Sequence, residues 1–306
     1  MKAPFVPRSV APDLPIRMIA LDIDGTLVDD DLALGDRTRD AVRAALDRGV
    51  HVSIATGRMT LSAVQFATLL ELRDPVIGYQ GALIRAMPEP DQRVGRMLRH
   101  RPLAAAVARE VVTWSRRVGL EPHANHLEKL IIPADDPRID DYSAFLGTKA
   151  LRVKSLVDWI RRPVTKIVAV GEAGLPLRLL NEARDRFAGR ADATLAHPRF
   201  LEFVAPGVSK GQAVRWLARR HGVPLGQVLA IGDQLNDLEM ISAVGHGTAM
   251  PHAPAQVIEA ARYLAPSIRE EGAARMIERL VLATPPKARR AAVALDREAT
   301  ELRGAA

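Results

Sequence analysis

Short apolar runs, each ending in a polar turn that carries glycine, alternate in this chain with amphipathic helical stretches. That rhythm restricts the possible folds more than any other feature. Arg17-Met-Ile-Ala-Leu-Asp22 reads as a buried strand, and its end carries Asp22-Ile-Asp24-Gly-Thr-Leu27. Asp36 then caps a helical pattern with Val42, Ala45 and Leu46 on one face, closed by Gly49. Val50 to Ala55 is the next strand and ends in Thr56-Gly57-Arg58. A helix over about 60–72 and a third strand, Val76 to Gln80, follow. Strand, helix, strand, helix, strand predicts a parallel sheet with crossover helices.

The rhythm breaks after residue 85, where Met87-Pro-Glu-Pro-Asp91 clusters helix and strand breakers. A helix near 102–117, an apolar run at Leu130-Ile-Ile132, a strand over Thr165 to Val170, a helix over Leu175 to Arg186 and strand-like text over Ala193 to Ala205 predict an inserted α+β unit. From Gly207 the doubly wound pattern resumes. A helix over Ser209 to Arg220 leads to a strand, Gln227 to Ile231, which ends in Gly232-Asp233. A helix over Leu235 to Ala243, a short strand in Gly245 to Met250 and helices over 254–262 and 270–282 complete it. The expected division is an extension over 1–15, a discontinuous core over 16–85 and 199–284, an insert over 86–198 and a tail over 285–306.

The 306 residues, 48% hydrophobic and 26% charged, suffice for a sizeable core and exclude a disordered or collagen-like chain. The absence of cysteine excludes disulfides, thiolate catalysis and thiolate-bound zinc or iron–sulfur centres. No apolar stretch reaches bilayer length, and the first 17 residues hold four prolines without an apolar signal segment. A cytoplasmic location is the expectation, with no membrane partner. The net charge of +7 raises the question of nucleic acid. Arginines spread along the chain among acids, together with 4% aromatics, argue against it.

In open α/β sheets ligands bind beyond the carboxyl ends of the strands. Here three strand ends carry polar, glycine-associated clusters: Asp22 with Asp24, Thr56-Gly57, and Asp233. Lys210 stands at a helix N-terminus. Two carboxylates at i and i+2 resist joint ionisation unless a cation lies between them. A hard ion such as Mg2+ takes oxygen ligands, and Asp233 is placed to add one. By itself the D-x-D-G spacing reads equally as a polar turn.

Taken in order, Asp22-Ile-Asp24-Gly25-Thr26-Leu27, Ala55-Thr56-Gly57-Arg58, Gly207-Val-Ser-Lys210-Gly211 and Gly232-Asp233-Gln-Leu-Asn236-Asp237 resemble the four motifs of the haloacid dehalogenase (HAD) superfamily. The long insert between the second and third motifs resembles that of the Cof-type subfamily IIB. Gln80-Gly81-Ala82, Gly245 to Met250, Ala265-Pro-Ser267 and Glu271-Gly272 support the likeness, which spans about residues 16–282. The text departs from the family at Gln80, at Met250-Pro251-His252-Ala253 and at Ile268.

The resemblance implies a Rossmann-like, doubly wound parallel core with an inserted α+β cap, and a Mg2+-dependent phosphatase. It assigns Asp22 as the nucleophile that forms an aspartyl-phosphate, and Asp24 as general acid and then base. Thr56 would hold a phosphoryl oxygen, with Gly25, Gly57 and Arg58 lining the phosphate site. Lys210 would neutralise charge there. Mg2+ would be bound by Asp22, the backbone carbonyl of Asp24 and Asp233, with Asn236 and Asp237 orienting those groups. For Arg58 a structural salt bridge is an equal alternative. The second aspartate favours phosphoryl over haloacid substrates, and the cap favours small phosphorylated metabolites such as sugar or cofactor phosphates.

Two alternatives remain: a phosphohexomutase-type transfer on the same core, and a non-catalytic binding or regulatory protein. His123 and His126, with Glu128 near, are expected to be exposed cap-loop residues, ahead of substrate contact and, last, a second metal site. Asp29-Asp30-Asp31 is expected to be a solvated loop. The residues leave the physiological substrate, the oligomeric state and the tail's role open.

Overall fold

The computed structural model describes residues 14–29, 31–136 and 149–283. Asp30, most of the expected N-terminal extension and the expected tail lie outside the described residues. The first strand, β1 (Met18–Leu21), is buried throughout and leads through the Asp22 turn to helix α1 (Asp36–Asp47). Asp36 is the first helical residue rather than the cap, and Gly35 holds the cap position. The missing capping acceptor comes from far along the chain, because Glu271 accepts from the Thr38 N–H at 3.2 Å. β2 (His51–Ile54) and α2 (Thr60–Leu69) follow.

β3 (Val76–Gly78) departs from the expected pattern. The chain turns back at Tyr79, Gln80 and Gly81, whose φ angles are +52°, +60° and +95°. It returns as β4 (Leu83–Arg85) and β5 (Met97–His100) in a small antiparallel sheet. One parallel bridge, Ala55 with Ile77, ties β3 to the end of β2. The left-handed turn reverses the chain before any crossover helix can form, so the third strand sits at the margin of the main sheet.

The insert supplies α3 (Ala105–Arg117), β6 (Glu121–His126), β7 (Lys129–Pro133), β8 (Ala150–Val153), α4 (Leu156–Trp159), β9 (Lys166–Val170), α5 (Leu175–Arg186), β10 (Asp192–His197) and β11 (Phe200–Val204). Its strands form a six-stranded sheet in the order β10-β11-β9-β6-β7-β8. β11 pairs with both β9 and β10, so this hairpin crosses the division expected at 198 and 199. Strand alternation gives the sheet two different faces. Ile167 and Ala169 pack with Trp114, Phe187 and Phe203 beneath the helices, whereas Val168 and Val170 meet Met59, Tyr79 and Leu83.

The chain then adds α6 (Lys210–Arg220), β12 (Val228–Gly232), α7 (Leu238–Ala243), β13 (His246–Ala249), α8 (Ala255–Ala260), β14 (Tyr263–Leu264) and α9 (Gly272–Ile277). Ser209 caps α6 by accepting from the Gln212 N–H at 3.0 Å. The main sheet has the order β14-β13-β12-β1-β2, and every pairing in it is parallel. Ile19 and Leu21 pack under α1 and α9 on one face, and Met18 and Ala20 under α6 on the other. From β1 the chain moves outward to β2 on one side and later to β12 on the other. The winding therefore reverses between β1 and β12, which opens a crevice at their carboxyl ends. Among the described residues no helix is long and apolar enough to cross a membrane.

Candidate active site

Asp22 follows β1 and Asp233 follows β12, so the reversal of winding sets two carboxylates at the mouth of one crevice. The Asp22 N–H donates to the Ile231 carbonyl at 3.0 Å, which extends the strand pairing to the edge of the site. Carboxylate oxygens of Asp22, Asp233 and Asp237 all lie within 4.8 Å of one another. All three residues are buried. Lys210, at the first turn of α6, is also buried and places its ammonium 2.8 Å from Asp22 Oδ1 and 2.7 Å from Asp237 Oδ1. It is not a surface lysine.

The turns around these groups are held by specific contacts. Asp237 Oδ2 accepts from the N–H groups of Asp233 and Gln234, each at 3.1 Å. Thr26 Oγ1 donates to Asp233 Oδ1 at 3.3 Å. Gly25, at φ +74°, lies so close to Asp233 that a Cβ would sit 2.4 Å from its Oδ2. Only glycine brings the first turn that near the second carboxylate.

Burial raises the Asp22 carboxyl well above its ordinary range, and Asp237 adds to the rise while Lys210 opposes it. Asp237 is likewise raised, chiefly by burial. For Lys210, burial works against the charge, but Asp22 and Asp237 outweigh it and hold the ammonium above its usual pKa. One buried ammonium thus bridges two of three clustered, buried carboxyl groups. An oxygen-rich site with excess negative charge suits a hard divalent ion, and such an ion would relieve the repulsion that raises Asp22. His252 Nε2 lies 3.3 Å from Asp233 Oδ2, and that contact raises the imidazole's pKa. The family departure at this position therefore touches the carboxylate cluster directly.

Asp24 takes a different direction from Asp22. Arg58 Nε lies 3.0 and 2.8 Å from its two carboxylate oxygens, and the guanidinium's second arm also donates to it. Of the two readings of Arg58, the structure contains the salt bridge. The Asp24 side chain is 43% exposed, so its carboxylate faces the open side of the crevice. Thr56 is fully buried, and its hydroxyl oxygen accepts from the Arg58 N–H at 3.1 Å.

Two further expectations change. Asn236 is directed away from the expected role beside Lys210: it donates to Gln80 Oε1 at 3.0 Å, because its turn faces the reversal at residues 79–81. His123 and His126 belong to β6 rather than an exposed loop. His123 is fully buried and pairs with Asp136, while the His126 ring lies 6.5 Å from that of His100. The loop expectation failed because Pro122 and Asn125 interrupt the apolar pattern that marks a strand. Glu128 caps α2 instead, accepting from the Leu61 N–H at 3.0 Å and pairing with Arg85 at 3.0 Å. Asp29 and Asp31 are exposed, and Asp30 lies outside the described residues. Gln80, Lys166 and Glu202 are buried polar residues beside the site that sequence reasoning did not mark as functional.

A family profile described as haloacid dehalogenase-like hydrolase matches residues 19–277. An HMP-PP phosphatase of Cronobacter sakazakii is 30% identical, over 79% of this chain and 86% of the relative. A 5-amino-6-(5-phospho-D-ribitylamino)uracil phosphatase of Bacillus subtilis is 27% identical, over 85% of this chain and 96% of its own. The crystal structure of a haloacid dehalogenase-like hydrolase from Bacteroides thetaiotaomicron superposes with a TM-score of 0.74 at 27% identity. The match covers 86% of this chain and 99% of that one.

Proposed function

The chain belongs to the haloacid dehalogenase-like hydrolases, and from that premise we propose that it is a Mg2+-dependent phosphatase working through an aspartyl-phosphate on Asp22. The substrates are small phosphorylated metabolites, with sugar and cofactor phosphates the leading classes; relatives named for HMP-PP and for a phosphoribitylamino-uracil support the cofactor side. The observation that carries the reading is the buried cluster in which Lys210 bridges Asp22 and Asp237 beside Asp233. We take residues 16–85 and 199–284 as a catalytic core and the insert as a cap, with β11 belonging to the cap sheet.

The chain's own groups divide the work. Asp22 attacks phosphorus as a carboxylate, so its raised pKa has to be overcome in the working site, and Lys210 contributes by holding a positive charge against it. Asp24, oriented by Arg58 and facing the crevice mouth, passes a proton to the leaving alcohol oxygen and later takes one from the attacking water. Thr56 holds a phosphoryl oxygen through its hydroxyl proton, its oxygen already accepting from the Arg58 N–H. Asp22, Asp233 and the backbone carbonyl of Asp24 would hold the Mg2+, with Asp237 fixing the Asp233 turn. When bound, the ion supplies charge neutralisation that lets an anionic carboxylate approach an anionic phosphate. A generic aryl phosphate tests the reading. Purified protein is expected to release phosphate with Mg2+ and to stop when the ion is chelated. Turnover that is indifferent to chelation, or none at all, contradicts it.

A further inference from the structure

A second polar chain runs beside the carboxylate cluster and links the six-stranded sheet to two of the core turns. Lys166, the first residue of β9, and Glu202, in the middle of β11, form an ion pair at 2.6 Å with side chains 4% and 5% exposed. The Lys166 ammonium also donates to the backbone carbonyl of Gly57 at 2.8 Å. Glu202 accepts with its other oxygen from Gln80 Nε2 at 2.7 Å, and Gln80 Oε1 accepts from Asn236 at 3.0 Å. An unbroken path of short hydrogen bonds therefore joins the Thr56–Gly57–Arg58 turn, the sheet, the reversal at residues 79–81 and the turn that carries Asp237.

Two features argue against a merely tolerated contact. Tyr79 and Gln80 are consecutive non-glycine residues at φ +52° and +60°, a conformation that costs about 1–3 kcal/mol per residue and persists only where the surroundings impose it. Here the imposed turn is what directs the Gln80 amide at Glu202 and Asn236. The Gln80 amide also packs directly on Gly57, where a Cβ would lie 2.5 Å from Nε2. A buried ion pair is in addition weak evidence for stability, since well-packed neutral groups generally do as well.

We propose that Lys166 and Glu202, with Gln80, are positioning residues: they lock the Gly57 carbonyl, and with it the phosphate-holding turn, only while the six-stranded sheet is seated on the core. This rests on the reading of Thr56–Gly57 as the phosphate grip. It adds that the grip is assembled by the insert, not by the core alone. Misplacing a binding turn by about 1 Å costs on the order of 100-fold in rate. None of the three side chains needs to touch substrate for this effect.

The test compares full-length wild type with Lys166→Met, Glu202→Gln and the double variant, each assayed at a temperature where circular dichroism shows it folded. The readouts are melting temperature, kcat/KM on an aryl phosphate with Mg2+, and Kd for inorganic phosphate. Each single variant leaves one buried charge unpaired and is expected to melt lower. The double variant removes both charges, keeps an amide for Gln80 and is expected to regain most of the lost stability. It still lacks a donor for Gly57, so kcat/KM stays at least about 10-fold low and phosphate binds correspondingly more weakly. Recovery of kcat/KM together with stability means a structural role only and overturns the proposal, as do wild-type kinetics in a folded single variant. If the wild type neither turns over the aryl phosphate nor binds phosphate, the phosphatase reading falls as well, so the two failures are separable.

Discussion

The two edges of the main sheet each gather a cluster of titratable side chains, and they do so to opposite effect. At the carboxyl edge, Asp22, Asp233 and Asp237 are buried around one ammonium. At the amino edge, His51 starts β2, Asp74 precedes β3 and His221 follows α6, and these are only partly buried. Asp74 lies 3.0 Å from His51 Nδ1 and 3.2 Å from His221 Nε2 and accepts from the Val52 N–H at 2.9 Å. Burial opposes its ionisation, but the two imidazoles outweigh that and hold its carboxyl well below the ordinary range. The imidazole rings stack at 3.9 Å with planes 22° apart. At one edge burial and neighbouring carboxylates push Asp22 and Asp237 up, and at the other the two imidazoles hold Asp74 down. Unmatched buried charge costs stability and is kept where chemistry uses it.

The comparison fixes opposite signs of pH dependence. The Asp22 pKa is higher folded than unfolded, so its ionisation destabilises the metal-free protein at neutral pH, and acid relieves the cost as pH falls through the raised value. The Asp74 pKa is lower folded than unfolded, so its contribution is present above the unfolded value and fades as pH falls toward the folded one.

The largest expected effect is on turnover. Asp22→Asn is expected to lower kcat by about three orders of magnitude or more, read in the aryl phosphate assay. The same variant is expected to melt higher than wild type at neutral pH without divalent ion. A lower melting temperature would mean that Asp22 is not under strain and would collapse the contrast between the edges. Next in size, Lys210→Met removes the ammonium that bridges Asp22 and Asp237 and is expected to cost about 3–5 kcal/mol in urea unfolding.

Mg2+ at a hundredfold excess over its Kd is expected to add about 2.7 kcal/mol of stability. Asp233→Asn should abolish that gain, whereas His51→Ala with His221→Ala should leave it intact. A shift lost with the histidines instead would assign the ion to the wrong edge. The smallest effect belongs to Asp74→Asn. It is expected to cost about 1 kcal/mol near neutral pH, allowing for solvent screening, and its deficit should narrow in acid.

What the sequence disclosed follows from how local each signal is. Strand ends marked by Asp22, Thr56 and Asp233 were readable because a short apolar run stopping at glycine is a local pattern, and the winding then brings β1 beside β12. The hydrogen bonds of Asp24 to Arg58 and of Asn236 to Gln80 were not readable as choices, since each depends on where a distant turn arrives. The strand at Glu121–His126 was hidden by proline and polar residues whose burial is possible only because partners from other strands meet them. Lys166 and Glu202 carried no motif at all. Their meaning lies in the pairing of β9 with β11, which sets them on the core-facing side together.

The central claim is that Asp22 itself attacks phosphorus, and it is tested most directly by trapping the adduct. Wild-type protein is mixed with an aryl phosphate and Mg2+, quenched in acid within one turnover, digested and read by mass spectrometry. The account predicts a phosphoryl group on the peptide bearing Asp22, absent from Asp22→Asn and from the chelated control. Phosphate release at full rate with no adduct on that peptide, or with an adduct on another carboxylate, would contradict it.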